Sequence, residues 1–251
     1  MSALSQHTAS INEIEMYYEI HGDGEPLLLL HGFTGCGGDW AHIDPELTKG
    51  FQAIVPDMRG HGRSTNPSSI FSHRQVASDM FALLDKLNIQ KFKAVGLSGG
   101  GNALLHMAHA QPDRVEAMVL VSATSYFPEQ ARAIMRQVSI DTISEEEWQT
   151  LRQRHRHGDS QIRALYAQCA AFATSYDDMN FTPADLSTIS ARTMLVQGDR
   201  DVLYPIDISV EMYKAIQRCS LWVVPNAGHG PVFGDINTYF AKTAAVFLQA
   251  P

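Results

Sequence analysis

The chain has 251 residues, 45% of them hydrophobic and 18% charged, a balance that suits a folded globular protein and excludes a disordered or fibrous one. A formal net charge of −8, from 19 basic against 27 acidic residues, repels phosphate backbones and anionic lipid, so neither nucleic acid nor a membrane surface is expected as a partner. Cys36, Cys169 and Cys219 show no CxxC spacing, and the first residues, MSALSQHTASINEIEM, have no basic start followed by an apolar run; both point to free thiols in a cytoplasmic protein.

Short apolar, β-rich runs alternate with longer helical stretches, the pattern of a mostly parallel sheet covered by helices on both faces. Strands are predicted at residues 14–20, 27–31, 52–56, 92–97, 117–121, 193–197 and 221–224. The first two are joined through the short segment HGDGEP and are expected to pair antiparallel. Residues 74–87 carry Val76, Met80, Leu83, Leu84 and Leu87 at spacings of three and four, which predicts a helix with that stripe against the sheet. From about residue 125 to about 190 the strand pattern stops. A polar helical region with scattered aromatics (Trp148, Tyr166, Phe172, Tyr176, Phe181) reads as a small helical cap inserted into one domain spanning 1–251. Within it, the basic run 152–157 is expected on the solvated face of a polar helix.

The sharpest local motif is Gly96-Leu97-Ser98-Gly99-Gly100, which follows the strand FKAVGL and opens the helix GGGNALLHMAHA. A serine at a tight strand-to-helix turn sits in strained backbone, and small residues two before and two after it permit the close approach that the turn requires. Its hydroxyl then stands at the carboxyl edge of the sheet, where open α/β folds bind ligands. An oxyanion needs N–H donors from two turns, and the candidates are Gly99 and, in His31-Gly32-Phe33, the amide of Phe33. The His31 side chain is expected to order that loop rather than act as a base. Beyond the strand TMLVQ, the segment Gly198-Asp199-Arg200-Asp201 offers two aspartates; Asp201, further past the strand and in a D-x-x-x-P context, is favoured over Asp199. After the last strand, His229 lies between glycines on a loop, and the near-neutral pKa of imidazole suits it to take and return a proton. The Gly96–Gly101 stretch lacks the second glycine of a dinucleotide loop, and His106 and His109 have no HExxH or nearby acidic ligand, so neither a cofactor nor a metal is expected.

The order Ser98, Asp201, His229, together with His31-Gly32-Phe33, resembles the α/β-hydrolase superfamily, especially its small-cap esterases, lactonases and carbon–carbon bond hydrolases. The segment Asp57-Met58-Arg59-Gly60-His61-Gly62-Arg63-Ser64 is similar to a structural turn of that family, so Arg59 and His61 receive no catalytic role. The resemblance implies an α/β-hydrolase fold with an eight-stranded-type sheet and a Ser98–His229–Asp201 triad cleaving a small-molecule ester or lactone. It leaves open hydrolysis of diketo acids, perhydrolase or hydroxynitrile lyase activity, or a ligand-binding receptor on the same fold, and also the oligomeric state, a homo-oligomer included. Two positions depart from the family. Gly99 stands where a larger residue is common, and the nucleophile is Ser rather than Asp, so the chemistry of haloalkane dehalogenases and epoxide hydrolases does not carry over.

Overall fold

The computed structural model describes residues 4–250. Eight strands, β1 (Ser5–Ile11), β2 (Ile14–His21), β3 (Glu25–Leu30), β4 (Phe51–Pro56), β5 (Phe92–Leu97), β6 (Val115–Val121), β7 (Arg192–Gly198) and β8 (Cys219–Val224), form one sheet in the order β1-β2-β4-β3-β5-β6-β7-β8. From β4 onward all pairings are parallel. The seven predicted strands are β2 to β8, with ends shifted by one or two residues. The eighth, β1, pairs only with β2 and turns inward only Ala9 and Ile11, so its polar sequence SQHTASI gave no strand signal.

One expectation is overturned. Residues 14–20 and 27–31 do not pair: β4 lies between them, antiparallel to β2 and parallel to β3. The tight hairpin is upstream, where Asn12 and Glu13 join β1 to β2, with Asn12 at φ 49°. The Gly22–Gly24 link instead steps over the start of β4, a span of two strand spacings, roughly 10 Å, that three residues can cover. It passes so close that a Cβ on Gly24 would stand 1.9 Å from the Gly50 carbonyl oxygen.

The central strands bury both faces. Leu28, Leu30, Ala94, Met118 and Leu120 face one apolar layer with α1 (His73–Lys86) and α2 (Gly99–Ala110), while Leu27, Leu29, Val95, Val119 and Val121 face the other with α8 (Asn237–Gln249). Of the predicted stripe, Val76, Met80, Leu83 and Leu84 are fully buried in α1, while Leu87, the residue that caps the helix, is half-buried. Arg59 makes two bonds to the buried Asp79 of α1, at 2.7 and 3.0 Å, and a third to Glu13, which ties the loop after β4 to its neighbours as the sequence suggests. No helix among the described residues is long and apolar enough to cross a membrane.

Between β6 and β7 the chain runs through α3 (Glu129–Met135), α4 (Glu145–Arg154), α5 (Asp159–Ala171) and α6 (Pro183–Ser187); α7 (Ile206–Ala215) then links β7 to β8. Two polar anchors hold this insertion. Gln161 donates to the carbonyls of Gly60 and Gly62 at 3.0 and 3.2 Å, and the Asp178 carboxylate accepts from the His73 and Arg74 amides and from the His73 ring, at 2.8, 3.1 and 2.6 Å. The run 152–157 is not simply solvated: α4 ends at Arg154, and His155 turns inward with 1% of its surface exposed.

Burial raises the pKa of Asp178, but the bond and charge of His73 and the two α1 amides outweigh it and hold the carboxyl at about 2. Since the folded value lies below the unfolded one, this contribution to stability is complete above about pH 4 and disappears as pH falls toward 2. Asp178→Asn is expected to cost on the order of 2 kcal/mol at neutral pH, with the gap to wild type in denaturant melts closing between pH 4 and 2.

Candidate active site

Ser98 sits between β5 and α2 at φ 50°, ψ −113°, a left-handed conformation costly for any residue with a Cβ. The turn closes because its neighbours are bare. A Cβ on Gly96 would come within 2.6 Å of the Gly101 nitrogen, and one on Gly100 within 2.3 Å of the Leu30 carbonyl oxygen. At Gly99 a Cβ would meet Phe33 N at 3.3 Å and His73 Nε2 at 3.5 Å, so those two residues fill the space beside it.

The structure brings Ser98, His229 and Asp201 together. Ser98 Oγ donates to His229 Nε2 at 2.8 Å, and His229 Nδ1 donates to Asp201 Oδ2 at 2.8 Å. Asp201 is fixed by further donors: Gln197 Nε2 at 2.9 Å and the amides of Leu203 and Tyr204 at 2.8 and 3.2 Å. Burial pushes its pKa up, but the His229 bond and charge and the two amides prevail and lower it, so it stays an anion under His229. Asp199 is exposed and turns away, its amide bonded to the Val224 carbonyl. Phe33 and Gly99 adjoin beside Ser98, a Cβ on Gly99 falling 3.3 Å from Phe33 N, and neither amide donates to a protein acceptor among the described residues.

The loop carrying Phe33 is held by imidazoles. His31 donates from Nδ1 to the Gly32 carbonyl at 2.8 Å and accepts the Met58 amide on Nε2 at 3.0 Å, the ordering role expected of it. Thr34 adopts φ 65°, a region that costs an L-residue about 1–2 kcal/mol. Its amide donates to His61 Nε2 at 3.2 Å, and its carbonyl accepts from His155 Nε2 at 3.1 Å. Burial keeps all three rings neutral, driving His31 and His61 below the usual histidine value and His155 to about 4.

A cavity of about 520 Å³ opens onto Ser98 and His229, bounded by Phe33, Thr34, Arg154 and Phe233. Arg154 reaches Asp39 at 3.2 Å, placing a cation on this wall. Sequence reasoning missed Arg154 and His155. Their only signal was the basic run itself, and nothing local marks where α4 ends.

Residues 25–141 match the family model described as "alpha/beta hydrolase fold". A soluble epoxide hydrolase from Corynebacterium sp. (strain C12) is 34% identical over 118 residues, 47% of this chain and 41% of that protein, so the match spans about two fifths of that relative's length. Among solved structures, the enol-lactonase from Burkholderia xenovorans LB400 superposes with a TM-score of 0.77 at 22% identity, covering 97% of this chain and 100% of that one. The 2-hydroxy-6-oxo-6-phenylhexa-2,4-dienoate hydrolase from Rhodococcus sp. strain RHA1 superposes with a TM-score of 0.81 at 18% identity, covering 99% of each. With a matching family model over β3 to α3 and the same sheet throughout the solved structures, this chain has the α/β-hydrolase fold.

Proposed function

We propose that this protein is a cofactor-free serine hydrolase that cleaves a carboxylic ester or a lactone through an acyl-enzyme. The observation that carries the reading is the unbroken relay from Ser98 Oγ through His229 to Asp201, with both links at 2.8 Å, beside two amides free to receive an oxyanion. His229 takes the Ser98 proton as Oγ attacks the carbonyl carbon, and the Phe33 and Gly99 amides bind the negative oxygen that results. The C–O bond breaks, His229 returns the proton to the leaving alcohol, and the acyl group remains on Ser98. Water then attacks the acyl carbon, losing its proton to His229; the bond from the acyl carbon to Oγ breaks, His229 returns that proton to Ser98, and the acid departs. No step calls for a metal or a nucleotide.

Asp201→Asn is expected to lower kcat by about a hundredfold or more, because the amide no longer fixes the tautomer that leaves Nε2 bare. Asp199→Asn should remain near wild type; the opposite ranking, measured on an activated ester, would move the acid to Asp199. Labelling with a fluorophosphonate, locating the adduct by mass spectrometry, and assaying esters, lactones and diketo acids tests the whole reading. An adduct away from Ser98, or no turnover of any ester or lactone, would refute it. Arg154 on the cavity wall favours one second reading, carbon–carbon bond hydrolysis of a diketo acid whose carboxylate meets that cation; turnover of diketo acids alone would select it.

A further inference from the structure

Among the described residues, the helical insertion meets the loop of the proposed oxyanion donor in two ways: Phe172 packs edge-on against the Phe33 ring at 5.0 Å between centroids, and one imidazole hydrogen-bonds the loop backbone. His155, directly after α4, accepts the Gly62 amide on Nδ1 at 3.0 Å and donates from Nε2 to the Thr34 carbonyl at 3.1 Å. Only the neutral tautomer with its proton on Nε2 satisfies both, since a second proton would set N–H against the Gly62 N–H. Thr34 directly follows Phe33 and holds a backbone conformation that β-branched residues avoid, so it persists only where its surroundings fix it. Its amide is fixed from the sheet side by His61 and its carbonyl from the insertion by His155.

We infer that His155 is a positioning residue: by gripping the Thr34 carbonyl it holds the Phe33 amide in its oxyanion-binding orientation, so that this one bond, rather than docking of the insertion as such, completes the oxyanion hole. The inference rests on the serine-hydrolase reading above, because it assigns the Phe33 amide to the developing oxyanion. Docking as such is carried by other residues. The Arg156 amide reaches the Gly62 carbonyl at 2.9 Å, and Gln161 reaches Gly60 and Gly62. The charged and titratable groups around His155 are Arg154 on its own helix, Asp39, and the rings of His31 and His61. Arg154 and the histidines oppose its protonation, Asp39 favours it, and burial dominates, so the neutral form prevails above about pH 4.

Side-chain length separates the two bonds of His155. Asparagine places a polar atom at the level of Nδ1 and still accepts from Gly62, but it falls short of Thr34. Glutamine reaches the level of Nε2 and can donate to the Thr34 carbonyl. On an activated ester, His155→Asn is expected to lower kcat by about tenfold, part of the loss that follows removal of a whole oxyanion donor, with KM within about twofold of wild type. The same variant should bind a trifluoromethyl ketone, whose serine adduct carries the oxyanion, about tenfold more weakly. His155→Gln should recover most of both. Gln161→Ala, which weakens docking without touching Thr34, should lower the thermal midpoint while leaving kcat and ketone binding unchanged. Equal kcat in the wild type and His155→Asn, or equal losses in His155→Gln and His155→Asn, would overturn the inference, as would a Gln161→Ala enzyme as slow as His155→Asn. A wild type that turns over no ester or lactone is a different result, the failure of the serine-hydrolase reading.

Discussion

Ser98→Ala and His229→Ala are each expected to lower kcat for an activated ester by about 10³-fold or more, and the double variant to be little worse than either, because the relay works as a unit. Without Oγ there is no atom to form the acyl bond. Without the ring, the Ser98 hydroxyl keeps its proton at neutral pH. Neither change should unfold the protein, since the ring of His229 is partly exposed and Ser98 keeps a Cβ of the same size. The residual rate comes from binding and from the Phe33 and Gly99 amides. Steady-state kinetics beside a thermal melt make the check, and near-wild-type turnover by a folded Ser98→Ala enzyme would sink the assignment.

Gly100→Ala is expected to destabilise the protein by about 3 kcal/mol or more and to abolish measurable turnover. Helix propensity alone points the other way: Gly100 lies in the first turn of α2, where Ala is favoured over Gly by up to about 1 kcal/mol. Sterics decide. The new Cβ would lie 2.3 Å from the Leu30 carbonyl oxygen and 2.6 Å from that of His31, both main-chain atoms of the strand and loop that carry Phe33. Relief requires α2 to back away from β3, which separates Gly99 from Phe33 beside Ser98. Gly228→Ala, at a position with nothing within 4 Å, is the control and should stay within about 1 kcal/mol of wild type in denaturant melts.

The residues around Ser98 were legible in the sequence because their signals are local. A strand, a bare turn and a helix are written within Phe92–Ala110, and the loops after β3, β7 and β8 each announce themselves by a glycine beside a polar residue. Strand order was not legible. Nothing in HGDGEP reveals that β4, almost thirty residues later, slides between β2 and β3; that arrangement depends on long-range pairing rather than link length. Nor does a run of arginines and histidines reveal that its fourth member is buried, because the burial of His155 is set by loops 33–35 and 60–64, which arrive from elsewhere in the chain. The polar edge strand β1 shows the same limit from the other side, a strand made by its partner more than by its own residues.

The two anchors of the insertion, Asp178 on the start of α1 and Gln161 on the loop after β4, keep the cavity at Ser98 in one shape. Swinging the insertion away as a hinged door would break these bonds together, at about 1 kcal/mol each and more where a partner is left buried and dry. The insertion is therefore a fixed roof. With the roof in place, a cavity bounded by Phe33, Thr34, Arg154 and Phe233 opens onto Ser98. A roof pinned at two corners does not clamp down on its guest, so the cavity keeps the shape that these four walls give it.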